Sequence, residues 1–248
     1  MNAIVVGHST VLFDAGPFHI LTDPNFDSSM GFIMRRIVKP ALNIDELLNR
    51  TIIVITHSHV DHLSLSSIRQ IKDVHAILCP KKTGKYFKDI HKDKVFELDY
   101  GESKNIASVD ITALPAMHTS ARYMWGGKTK TNSYIIRING KTIFFVGDSG
   151  YSPVFKNIGL NYSIDVAFLP IGLATPSFLF GKDHLSPADA VKVFVDLKAK
   201  LMIPVHYGTF RTILERHSWP LKEFCRLTRL YNLEKKVIIP QFGERFEF

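Results

Sequence analysis

Cysteine is nearly absent from this sequence, with only Cys79 and Cys225 among 248 residues. Both lie in apolar neighbourhoods, so a disulfide framework is not expected and a reducing compartment is the simpler assumption. Long apolar runs are missing as well. The longest uncharged stretch, Val166 to Gly181, is broken by Pro170 and Pro176. It falls short of the ~20 residues a membrane-spanning helix needs. The opening MNAIVVGHSTVLFD has neither a basic lead-in nor a small-residue cleavage site, so it reads as a strand rather than a signal peptide, and a cytoplasmic location is expected. No repeat, low-complexity tract or linker-like run divides the chain, and residues 1–248 read as a single domain able to bury a core without staples. Acidic residues are outnumbered, 23 Asp and Glu against 31 Lys and Arg, for a net charge of +8. That excess suits phosphates, phospholipid surfaces or nucleic acid, and charge alone does not choose among them.

The remaining pattern mixes strands and helices through two broadly similar halves. Ala3 to Val6, Thr10 to Phe13 and His19 to Thr22 read as hairpin strands, punctuated by Gly7 and Ala15-Gly16-Pro17. Asn43 is placed to cap a short helix with Glu46 completing a capping box, and Thr51 to Thr56 is a buried strand rich in Ile and Val. Ser133 to Ile138 and Lys141 to Val146 flank Asn139-Gly140, a dipeptide suited to a two-residue hairpin turn. Ser186-Pro187 begins a helix that Asp189 supports, with Val191, Phe194, Val195 and Lys198 at helical spacing, and strand Leu201 to Val205 follows. The expected α/β architecture is two sheets packed face to face with helices outside.

Four residues with metal-binding chemistry fall within six positions, His57-Ser58-His59-Val60-Asp61-His62, directly after an apolar strand. Packing alone explains such density poorly, because unpaired core histidines leave ring nitrogens unsatisfied, whereas neutral imidazole and carboxylate both ligate divalent ions. Alternate residues of the loop can face one ion and the following Asp and His a second. Two ions need further ligands. His118 after Val109 to Leu114, Asp148 after Thr142 to Gly147, and His206 after Leu201 to Val205 supply them at strand ends.

These residues resemble the metallo-β-lactamase superfamily, whose αββα sandwich carries the same motif and later ligands in the same order. The resemblance implies that His57, His59 and His118 hold one metal, that Asp61, His62 and His206 hold the other, and that Asp148 bridges them. Gly7-His8-Ser9-Thr10, Thr22-Asp23-Pro24, Phe144 to Tyr151 and Ile203 to Phe210 look more specifically like N-acyl-phosphatidylethanolamine-hydrolysing phospholipase D and its bacterial relatives. The likeness extends through Pro153 to Gly159 and the Asp183-His184 pair, although Asp183 stands where that family usually has Gln. It implies phosphodiester hydrolysis by metal-activated hydroxide without a protein nucleophile. Asp61 would orient the hydroxide or take its proton, and His184 would contact the phosphate or leaving group. The expected cofactors are two divalent ions, zinc first, with manganese or iron as alternatives.

Substrate candidates lie in two loops. Met30 to Lys39 mixes apolar residues with Arg35, Arg36 and Lys39, a composition suited to anionic headgroups and peripheral contact with a membrane surface. Pro176 to Phe180, with Phe178 at its centre, adds an apolar loop near His184. His8 reads as a hydrogen bonder between the opening strands rather than a ligand. His19, His75, His91 and His217 lack ligand-spaced partners, and Lys81, Lys82, Lys85 and Lys88 form a solvated helix face. The expected substrate is a small-molecule or lipid phosphodiester. Its rivals are a lactonase acting on a phosphorylated sugar lactone, an RNA-processing nuclease, disfavoured for want of a stacking motif, and a non-catalytic metal- or nucleic-acid-binding module.

Overall fold

A computed structural model describes residues 1–30, 34–47, 50–122, 127–174, 182–212 and 215–248, with the Glu46 side chain excepted. The first half of the chain contributes β1 (Asn2–Gly7), β2 (Thr10–Ala15), β3 (Phe18–Thr22), β4 (Ser29–Met30), β5 (Met34–Arg36), β6 (Arg50–Val54), β7 (Val74–Pro80) and β8 (Val95–Leu98). Helix α1 (Leu65–Gln70) lies between β6 and β7. The second half contributes β9 (Ser103–Ile106), β10 (Val109–Pro115), β11 (Asn132–Ile138), β12 (Lys141–Phe145), β13 (Val166–Pro170), β14 (Leu201–Val205), β15 (Phe210–Arg211) and β16 (Arg245–Glu247). Its helices are α2 (Val154–Asn161), α3 (Pro187–Leu197) and α4 (Trp219–Leu230).

One large sheet runs β16-β1-β2-β3-β6-β7-β8 and the other β14-β13-β12-β11-β10-β9, while β15, β5 and β4 form a small third sheet. The two halves follow a common plan. In each large sheet antiparallel strands lead into parallel ones, β3 to β6 to β7 to β8 and β12 to β13 to β14. Alternation of side chains then assigns faces. Ile52 and Val54 join Ile143 and Phe145 in the core between the sheets. Ile53 and Ile55 face the layer that holds Leu63 and Ile68, whereas Phe144 and Val146 pack against Phe155, Val191 and Phe194. Helices therefore cover the outer face of each sheet, giving the αββα sandwich.

Local chemistry fixes several element ends. Ser186 caps α3 by accepting from the Asp189 amide while Asp189 accepts in return, an arrangement worth about 1 kcal/mol. The helix buries Val191, Phe194 and Leu197, but Val195 is exposed and Lys198, in a left-handed conformation, terminates it. Asn43 caps a single 3-10 turn over Ile44–Glu46 by accepting from Asp45, so the expected helix is shorter than its capping pattern suggested. Gly84–Phe87 is likewise a 3-10 turn, which leaves no helix face for the lysines around it. Cys79 and Cys225 are both free. Among the described residues no helix is long and apolar enough to cross a membrane.

Candidate metal centre

Strand ends deliver the site. Loop 57–62 follows β6, His118 follows β10, Asp148 follows β12 and His206 follows β14. Gly147 permits the approach of two of these segments: its φ is +69°, and a Cβ there would lie 2.6 Å from the Thr56 side chain. Gly150 does the same for the segment bearing His184, because its Cβ would fall 1.9 Å from the Lys182 carbonyl oxygen. Cross-braces fix the ligand loop. Ser58 Oγ lies 2.7 Å from Ser120 Oγ and 2.8 Å from Thr129 Oγ1, while Arg122 donates to the Leu63 carbonyl at 2.5 Å.

Two groups of ligand atoms result. His57, His59, His118 and Asp148 form one, and His8, Asp61, His62 and His206 the other; within each, the ligand atoms lie within 4.8 Å of one another. Asp148 links them, with Oδ2 3.7 Å from His57 Nε2 and 3.3 Å from His62 Nε2, and Oδ1 3.1 Å from His206 Nε2. A third grouping adds His184 to Asp148 and His206. All seven predicted ligands and His184 thus converge.

Outer hydrogen bonds aim the lone pairs inward. Thr56 Oγ1 donates to Asp23 Oδ2 at 2.6 Å, so it must accept from His57 Nδ1 at 3.0 Å, leaving Nε2 of His57 unprotonated. His62 Nδ1 donates to the same Asp23 oxygen at 2.7 Å, and His118 Nδ1 donates to the Asp183 carbonyl at 2.9 Å. Nε2 of His118 is thereby left as a ligand, and Nε2 of His62 becomes one once that ring loses its second proton. His59 Nδ1 lies 3.0 Å from His57 Nε2 and 3.1 Å from His118 Nε2, and His62 Nε2 lies 3.2 Å from His206 Nε2.

These spacings suit a cation. Zinc–nitrogen bonds of ~2.0 Å in a tetrahedron set neighbouring nitrogens about 3.3 Å apart. Hydrogen bonding satisfies the cluster less well, since at most one proton lies on His59 Nδ1 while two lone pairs face it. Asp148 Oδ1 is buried, and although His206 Nε2 lies 3.1 Å away it receives no well-aligned hydrogen bond among the described residues, an expensive state for a carboxylate unless a cation meets it. The residues present fit a divalent metal centre.

Charge is distributed accordingly. Burial pushes His57, His59 and His118 below the ordinary histidine value, which leaves them neutral as ligands must be. Burial opposes a charge on His62, but Asp148, Asp61 and Asp23 overcome it and hold that imidazole well above its usual range. For Asp61 and Asp148 burial works upward, yet the surrounding histidines, His62 and His206 foremost, keep both carboxyls well below theirs. Asp23 accepts from Thr56 N, Thr56 Oγ1 and His62 Nδ1, so it is read as ionised although burial pushes its carboxyl up.

The site residues differ in exposure. His8, His57, His62, Asp148 and His206 are buried, whereas His59, His118 and His184 are partly exposed and mark the mouth. Val60 and Met117, each adjacent in the chain to a candidate ligand, are 41% and 51% exposed. His184 Nδ1 lies 3.6 Å from Asp148 Oδ2.

Other predicted positions are placed differently. Arg36 lies behind the ligand loop: it donates to the carbonyls of Asp27 at 2.7 Å and Asn25 at 2.7 Å, and Asn25 in turn donates to the Asp61 carbonyl at 2.9 Å. Its guanidinium also covers the Phe210 ring at 4.5 Å. Arg35 is exposed on β5. Phe178 and the Pro176 to Phe180 loop lie outside the described residues. His8 corrects the sequence expectation, because its side chain bonds Asp61 Oδ2 at 3.1 Å rather than bridging β1 and β2. It follows β1 directly, and the strand-end rule that selected His118 and His206 would have found it. Asp23 was visible only as part of a resembling segment, since its oxygen meets residues more than thirty positions away.

The comparisons agree with this geometry. A family model described as a beta-lactamase superfamily domain matches residues 19–207. N-acyl-phosphatidylethanolamine-hydrolyzing phospholipase D 1 of Caenorhabditis elegans is 29% identical over 230 residues, covering 83% of this chain and 63% of its own length. A metal-dependent hydrolase of Alkaliphilus metalliredigens is 30% identical over 225 residues, covering 86% of this chain and 88% of its own. The crystal structure of isothiocyanate hydrolase from Delia radicum gut bacteria superposes with a TM-score of 0.80 at 17% identity, over 100% of this chain and 99% of that one, and so bears on the fold alone. The chain spans 63% of the nematode relative's length and 59% of that of an uncharacterised relative from Mycobacterium bovis. Fold, ligand geometry and family match together establish that this chain belongs to the metallo-β-lactamase superfamily of metal-dependent hydrolases.

Proposed function

We propose that the chain is a two-metal phosphodiesterase of phospholipase D type, acting on N-acyl-phosphatidylethanolamine-like or related phosphodiesters. His57, His59 and His118 hold one divalent ion, Asp61, His62 and His206 the other, and Asp148 serves both. The observation that carries this reading is the inward convergence of imidazole nitrogens at 3.0–3.2 Å, with the protons of His57, His62 and His118 committed to outer acceptors. Bound divalent ions would lower the pKa of water and polarise a phosphoryl oxygen.

The protein's own groups do the rest. Asp61 is ionised and lies within reach of its neighbours' protons, so it can orient or accept a proton at Oδ2. His184, held neutral mainly by burial, stands at the mouth where an N–H can meet a phosphate or departing oxygen. The exposed apolar side chains of Val60 and Met117, chain neighbours of His59 and His118, support a substrate with a hydrocarbon part over a phosphorylated sugar lactone. Similarity to the nematode phospholipase supports the same substrate class.

The metal-loaded protein should hydrolyse bis(p-nitrophenyl) phosphate and N-acyl-phosphatidylethanolamine, and lose both activities to a chelator. Turnover of a phosphorylated sugar lactone with neither phosphodiester cleaved would reject the reading. Full metal occupancy without hydrolysis of any of the three would point to a binding module.

A further inference from the structure

His8 and His206 are both non-glycine residues in the left-handed region, with φ of 56° and 60°. They are joined: the His206 amide donates to the His8 carbonyl at 2.9 Å, and the two rings lie against each other at a 36° tilt with centroids 4.0 Å apart. His8 is pinned further by its own amide, which donates to Thr209 Oγ1 at 2.6 Å, and by the edge of Phe210, whose ring centroid lies 5.1 Å away at 88°. Strained conformations persist only where the surroundings over-determine them, and they collect at functional sites. Here both strained residues turn imidazoles toward one half of the centre.

His8 Nε2 faces Asp61 Oδ2 at 3.1 Å. At that distance the two form a hydrogen bond, which the carboxylate accepts and His8 Nε2–H donates, so that nitrogen is engaged by Asp61. We propose that His8 is a positioning residue for the Asp61–His62–His206 half of the centre. It fixes the Asp61 carboxylate through Nε2–H, with its ring held against that of His206, without itself ligating the ion. Outer partners of this kind typically change metal affinity 10–100-fold. The inference rests on the two-metal reading but not on the choice of substrate.

The test is stepwise zinc affinity measured against competing chelators. His8→Gly removes the imidazole while suiting the left-handed backbone, so the metal-free variant should melt no lower than the wild type. Its weaker zinc step should lose about tenfold or more in affinity while the other step stays as in wild type. His8→Gln places an amide N–H near the lost Nε2–H and should recover most of the loss. Unchanged affinities in His8→Gly overturn the proposal, as does an equal loss at both steps with a lowered melting temperature. A His8→Gln variant as weak as His8→Gly overturns it too, because the Nε2–H bond to Asp61 would then not be what the imidazole supplies. A wild type that binds a single zinc instead overturns the two-metal reading itself.

Discussion

Asp23 holds His62: its Oδ2 accepts the Nδ1 proton at 2.7 Å, and through the Thr56 hydroxyl the same oxygen also sets the tautomer of His57. One buried carboxylate thus orients a histidine in each half of the centre. In Asp23→Asn one of the two oxygens becomes an NH2 group that faces a donor. Metal affinity should fall roughly 10–100-fold, as for other outer-shell carboxylates. Chelator competition, with circular dichroism to confirm folding, checks this, and undiminished affinity would remove Asp23 from the account.

The two halves should respond differently to pH. In the metal-free protein burial keeps His57, His59 and His118 below the ordinary histidine value, so they hold no proton that a metal must displace near neutrality. His62, raised by Asp148, Asp61 and Asp23 against the effect of burial, does hold one. Metal entry at the His62 half therefore releases a proton, and its affinity should climb as pH rises toward the elevated His62 pKa. Affinity at the other half should be nearly flat between pH 6 and 8, roughly one histidine unit either side of neutrality. Calorimetric zinc titrations in buffers of different ionisation enthalpy would show the difference; equal proton release at both steps would contradict it.

His184 is placed to act on substrate rather than to retain metal. His184→Ala should lower kcat on phosphodiesters by about 100-fold or more, the usual contribution of a positioned acid or base. Metal content, measured by mass spectrometry, should remain that of the wild type. Loss of metal with activity would make His184 a ligand.

Arg35 and Arg36, alike in sequence, should separate in experiment. Arg36 is tied to the carbonyls of Asp27 and Asn25 and lies over Phe210, so Arg36→Ala should cost about 2 kcal/mol. That corresponds to a melting temperature lower by roughly 4–8 °C for a chain of this size. Arg35 is exposed, so Arg35→Ala should leave melting unchanged and reduce co-sedimentation with anionic vesicles. The reverse pattern would assign Arg36 to the surface and Arg35 to the fold.

Much of this architecture is legible in the sequence because its signals are local. Loop 57–62 declares itself by density, and the buried strand before it by its Ile-Val content. His118, Asp148 and His206 stand out as polar residues at the ends of apolar runs. What stays hidden depends on partners far along the chain. Arg36 reads as a surface cation until Asn25 and Asp27 are seen to receive it, and His8 reads as a hydrogen bonder between the opening strands until its left-handed backbone aims it at Asp61. Asp23 is one carboxylate among many until Thr56 and His62 converge on it. Val195 shows the other failing: helical spacing proposes a face, and only packing against the sheet decides which residues occupy it.

The central claim is that two divalent ions share this centre through Asp148. Anomalous diffraction at the zinc edge from crystals of the metal-loaded protein tests it directly. The account predicts two peaks ~3.5–4 Å apart, as in other two-metal sites. One should lie among His57, His59 and His118, the other among Asp61, His62 and His206, with Asp148 touching both. A single peak, or a second peak bound by His8 in place of Asp61, would contradict it.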